Sequence, residues 1–184
     1  MIIVSDTTPI SELAKVNHLD LLPKLFGKVT ITQGVFDELQ VGEHPAAKLV
    51  QNLSWLEVAT VDNQQVVKEL QQSFKLDLGE SEAIALAEEI GASQLLIDEK
   101  AARKVAMARK LPLIGTVGVL LLAKRRGVLA SVKDVLDEMQ AQGMRISDLL
   151  YVRVLTMVYS LTPHATRVLP LAYNKVLTYL QIPR

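Results

Sequence analysis

The chain has 184 residues, 49% apolar and 22% charged, enough for one core with an appendage and too apolar for a disordered chain. Twenty Lys plus Arg balance twenty Asp plus Glu, so any attraction to nucleic acid or an anionic membrane must come from a local patch. There is no Cys, and the three His at 18, 44 and 164 lie far apart; this excludes disulfides and thiol catalysis, disfavours zinc, and leaves oxygen ligands for metal chemistry.

Residues 2–4 form an apolar run ending in Ser-Asp-Thr-Thr-Pro, the pattern of a strand buried on both faces. Pro9 suits the first turn of a helix over 10–16. A short helix over 19–26 closes at Gly27, a strand follows at 29–31, and a helix over 34–40 carries Val35, Phe36 and Leu39 on one face. Residues 45–53 read as helical, 55–61 alternate in strand fashion, and 62–74 form a polar amphipathic helix. Asp77 and Glu80 have capping-box spacing at the head of a helix ended by Gly91. Strands at 94–97 and 113–115 then alternate with helices at 101–110 and 116–126, and Ser131 caps a helix over 131–142. This alternation predicts an α/β sandwich with a mostly parallel sheet. From Ser147 onward the chain is densely apolar, with a second helix-like stretch to Tyr179. The expected division is a domain over 1–146 and a C-terminal helical appendage over 147–184.

The first residues read as a buried strand rather than a secretory signal. The longest nearly apolar stretch, 111–123, is shorter than the roughly 18 residues a membrane helix needs. A cytoplasmic protein with no membrane contact is expected.

Ligands of open α/β sheets sit beyond the carboxyl ends of the strands. Two buried strands end in acids, Asp6 and Asp98; Glu80 lies in a helical first turn, and Glu38 follows the 29–31 strand. If the two helices open onto one edge, four carboxylates converge there, the ligand type of Mg²⁺ or Mn²⁺. Each has a bland alternative. Asp6 and Asp98 can cap the helices that follow them, although an acid ending a buried strand is costly without a partner. Glu80 can serve the helix dipole alone. From spacing alone Glu38 is an ordinary helix residue, and Thr7 and Thr116 read as caps. Residues 77–99 hold seven acids and no base, whereas 100–126 hold eight bases and no acid. Lys100, Arg103 and Lys104 thereby become candidates for a phosphate backbone, against the alternative of a solvated helix face.

Five segments occur in order: Val4-Ser-Asp-Thr-Thr-Pro-Ile10, Val35-Phe-Asp-Glu-Leu39, Leu78-Gly-Glu-Ser-Glu-Ala-Ile-Ala-Leu-Ala87, Leu96-Ile-Asp-Glu-Lys-Ala-Ala-Arg103 and Leu113-Ile-Gly-Thr-Val-Gly-Val-Leu120. Together they resemble the PIN-domain superfamily, in particular its DUF3368 branch of nucleic-acid-binding proteins related to VapC-type toxins. The resemblance implies a three-layer α/β/α nuclease fold over about residues 1–155. It also implies Mg²⁺- or Mn²⁺-dependent cleavage of RNA with Asp6, Glu38, Glu80 and Asp98 as catalytic and metal-holding acids. Glu82 is a possible substitute for Glu80, and Thr7 and Thr116 fall where hydroxyls line the pocket. A toxin role with an antitoxin partner follows from the family alone. Ile146-Ser147, Leu150-Tyr151 and Val154-Leu155 continue the likeness, after which Thr156-Met157 and a tail to Arg184 depart from it. The apolar stretch from 149 is expected to dock on its own domain or on a second copy, giving a dimer.

Two other readings stand beside the nuclease. One is an inactive module of the same shape that binds RNA or protein. The other is a phosphoryl-transfer domain, disfavoured because Asp6-Thr7-Thr8 lacks the second acid of an Asp-x-Asp.

Overall fold

The computed structural model describes residues 1–41 and 45–160. The chain runs β1 (Ile3–Ser5), α1 (Thr7–Lys15), α2 (Leu21–Phe26), β2 (Val29–Thr32), α3 (Gln33–Gln40), α4 (Pro45–Val50), β3 (Leu56–Ala59) and α5 (Gln64–Phe74). It continues through α6 (Leu78–Glu89), β4 (Gln94–Leu96), α7 (Lys100–Ala108), β5 (Leu113–Ile114), α8 (Thr116–Arg125), α9 (Val132–Ala141) and α10 (Asp148–Ser160).

The strands form a parallel sheet in the order β3-β2-β1-β4-β5. Side chains alternate across a strand, and here the alternation divides the apolar residues between two cores. Ile3, Leu96 and Ile114 join α1, α2, α3, α4, α8, α9 and α10 on one face. Val4, Leu95, Ile97 and Leu113 join α5, α6 and α7 on the other. The result is the expected three-layer α/β/α sandwich. The chain builds β1, β2 and β3 outward on one side, then returns to lay β4 on the other side of β1. The order therefore reverses between β1 and β4, where an open α/β sheet parts to admit a ligand. Their register is Ile3 to Gln94, Val4 to Leu95 and Ser5 to Leu96, and the Asp6 amide donates to Leu96 O at 2.9 Å.

Local chemistry sets the helix starts. Thr32, Asn63 and Ser131 accept backbone N–H groups at the heads of α3, α5 and α9, each satisfying a donor that the helix leaves unpaired. Asn63 explains why α5 starts two residues later than expected. α1 begins three residues earlier than expected, because the Pro9 ring fits its first turn, where no intrahelical N–H is needed. β3 is an edge strand with Glu57 and Val58 exposed.

α10 packs against α8 and α9, burying Val154 and Met157 in the first core. Tyr151 Oη donates to Asp137 on α9 at 2.5 Å. Its other side stays open, with Leu149 62% and Val152 59% exposed. The helix-like stretch expected up to Tyr179 lies outside the described residues. Among the described residues no helix is long and apolar enough to cross a membrane.

Candidate active site

Asp6 follows β1 directly and occupies the N-cap position of α1, yet its side chain makes no capping bond. It is 3% exposed. Burial pushes its carboxyl up to about 7; the Thr7 amide opposes this, while the charges of Asp77, Glu80 and Glu38 add to it. The cap reading of Asp6 is thus replaced by a buried carboxylate crowded by other acids.

Glu38 reaches this group from α3, with its Oε2 accepting from Thr7 Oγ1 at 2.7 Å. Thr7 was expected as a cap; its hydroxyl instead holds Glu38, because Asp6 already occupies the cap position. Glu80 enters from the first turn of α6 and closes a full capping box with Asp77: each accepts the other's N–H, at 3.0 and 2.8 Å. Burial raises the Glu80 carboxyl, the Asp77 amide restrains it, and the charges of Asp77, Glu99 and Glu38 push it further up. Glu80 therefore belongs both to a helix start and to the acidic group. Glu82 accepts the Gly34 amide at 3.0 Å, tying α6 to the head of α3.

Asp98 stands on the β4 side of the crevice and is held differently. Glu99, not Asp98, caps α7. The Thr116 amide donates to both Asp98 oxygens at 3.0 and 3.3 Å, and Thr116 Oγ1 donates to Oδ2 at 2.5 Å. Thr116 is thus no cap itself; Gly115 holds that position in α8. Burial raises the Asp98 carboxyl, Thr116 and the Arg103 charge lower it, and Glu12 raises it. Arg103 is half-buried and donates to Ile97 O at 2.6 Å, whereas Lys100 and Lys104 are exposed.

Two acids of this neighbourhood were not singled out from sequence. Asp77 was read only as a cap, although its charge acts on both Asp6 and Glu80. Glu12 is buried; Lys15 pairs with its Oε1 at 2.6 Å, and its Oε2 has no hydrogen-bond partner. A charged residue between the buried Ile10 and Leu13 was the signal that could have revealed it.

Asp6, Glu38, Glu80 and Asp77 thus form one electrostatic group, and Asp98 a neighbouring one with Thr116, Arg103 and Glu12. All the donors are oxygen, the type suited to Mg²⁺ or Mn²⁺, and the three charges acting on Asp6 are all acidic. Among the described residues, no three His, Cys, Asp or Glu side chains are arranged to hold a metal ion together.

The chain matches the family DUF3368, described as a PIN domain, over residues 2–160. No curated protein and no solved structure matches it.

Proposed function

The chain belongs to the PIN-domain family, whose fold is of the nuclease type, and from that premise we propose that it is a divalent-metal-dependent endoribonuclease. The observation that carries this reading is the buried Asp6 carboxylate at the β1–β4 crevice, raised to about 7 and crowded by Glu38, Glu80 and Asp77. Like charges held together in a poorly solvated place favour a cation. Asp6, Glu38 and Glu80, with Asp98 at the end of β4, would supply oxygen ligands to Mg²⁺ or Mn²⁺ by drawing in around it. The chemistry such an ion supplies when bound is activation of water and neutralisation of phosphate charge.

The chain's own residues prepare that place. Thr7 orients Glu38, Thr116 holds Asp98, and Glu82 ties α6 to α3 so that both helices open on the same edge. Lys100 and Lys104 offer exposed ammonium groups to an RNA backbone, while Arg103 supports the Asp98 loop through Ile97 O. A toxin role, an antitoxin partner and pairing of two copies through the open side of α10 belong to the same proposal, in a cytoplasmic setting. The test is incubation of a mixed RNA pool with Mg²⁺, Mn²⁺ or EDTA. Cleavage that needs the ion and disappears in Asp6→Asn supports the reading; cleavage indifferent to either sinks it.

A second reading rests on the engagement of both Asp98 oxygens by Thr116. It is an RNA-binding module without hydrolysis, and in the same assay it would retain RNA uncut under every condition.

A further inference from the structure

We infer that Gly79 is a positioning residue of the acidic site, setting where Glu38 sits relative to Asp6. Gly79 lies in the first turn of α6, and a Cβ built on it would stand 3.0 Å from Glu38 Oε2, 3.4 Å from Val35 Cγ2 and 3.6 Å from Asp6 Oδ1. Both carboxylates therefore rest against the one position in α6 that has no side chain. The arrangement is reciprocal: α3 has its own glycine, Gly34, in its first turn, and a Cβ there would meet Glu82 Oε2 of α6 at 2.6 Å. Each helix thus offers a bare first turn to a glutamate of the other.

Neither glycine has the positive φ that would demand glycine for backbone reasons, and Ala is the better helix former. Room for the carboxylates is the remaining physical reason for Gly79. The first atom a methyl group would meet is the end of a flexible side chain, so Glu38 can rotate away rather than the fold give way. A shift of even a few tenths of an ångström away from the methyl group would strain the 2.7 Å bond from Thr7 Oγ1 and change where Glu38 sits relative to Asp6.

The inference depends on the proposed metal site for only one arm of its test, which uses the full chain. The first arm is metal-free. Urea midpoints in EDTA are compared for wild type, Thr7→Val, Gly79→Ala and the Thr7→Val/Gly79→Ala double variant. Thr7→Val should lower the midpoint of wild type by more than that of Gly79→Ala, because the bond it removes is already weakened there. Equal lowering in both backgrounds overturns the inference. In the second arm Mn²⁺ is added during thermal melts. Gly79→Ala should lose most of the wild-type shift, and adding Glu38→Asp, one methylene shorter, should restore part of it. A full Mn²⁺ shift in Gly79→Ala also overturns the inference. No shift in wild type sinks the metal reading and leaves the first arm to decide on Gly79. If Gly79→Ala fails to fold, the Gly79→Ala/Glu38→Asp variant has the room; its failure to fold as well overturns the inference.

Discussion

Replacing Asp6 with Asn removes one charge from the crevice while keeping the size and an acceptor oxygen. The Asp6 carboxyl rises from 3.8 to about 7 on folding, so the folded state holds its proton more tightly than the unfolded chain. The sign follows directly: metal-free wild type is favoured at low pH and loses stability as pH rises between about 4 and about 7. About three pH units at about 1.4 kcal/mol each give a loss of about 4 kcal/mol above pH 7. The amide of the variant has nothing to titrate there. Glu80 and Asp98 are also raised but remain in both proteins, so the difference between wild type and variant isolates Asp6. In EDTA the two should melt within a few degrees of each other at about pH 4, with Asp6→Asn the more stable by about 10 °C at about pH 8. Adding Mn²⁺ at the higher pH should raise the melting point of wild type more than that of the variant and close much of the gap. A variant less stable than wild type at both pH values, with an undiminished Mn²⁺ shift, would refute the reasoning and return Asp6 to a structural role.

Asp77→Ala should lose about 0.5–2 kcal/mol in urea denaturation through its broken capping box. Asp77→Asn keeps the acceptor and should lower the Asp6 titration midpoint below about 7, read from carboxyl chemical shifts. Lys100→Ala with Lys104→Ala should weaken RNA binding across sequences and reduce the slope of log affinity against log salt by about 1 per lost contact; an unchanged slope places both lysines on a merely solvated face. Met157→Ala should cost about 2–5 kcal/mol of stability because α10 is seated in the domain's own core, whereas Leu149→Ala should stay within about 0.5 kcal/mol.

The layers were legible in the sequence because their signals are local. Apolar runs ending in acids marked β1 and β4, and the Asp77–Glu80 spacing marked the start of α6. The crevice was legible for the same reason, since Asp6 and Asp98 each end a buried strand. Hydrogen-bond partners were not legible. The bond from Thr7 to Glu38 and those from Thr116 to Asp98 join segments far apart in sequence, and nothing local distinguishes such a hydroxyl from a cap. Glu12 and Gly79 were missed because their meaning comes from what distant segments bring near them, the Asp98 carboxyl at the end of β4 and the Glu38 carboxylate of α3. α10 docks on its own domain through Val154 and Met157, one of the two outcomes expected of that stretch, but a dense apolar sequence does not specify which of its faces the domain takes.

The pairing of β1 with β4 has a consequence for how the protein comes into being. Synthesis delivers Ile3 long before Gln94, its partner across the sheet, and contacts so distant in sequence form slowly because a long loop must close first. Until β4, α6 and α3 have all left the ribosome, Asp6 stays hydrated beside its nascent strand, free of the burial that raises its carboxyl in the finished molecule. The acidic crevice therefore cannot close before the chain has been made through β4, and a chain still being translated through its first half has no such site to act with.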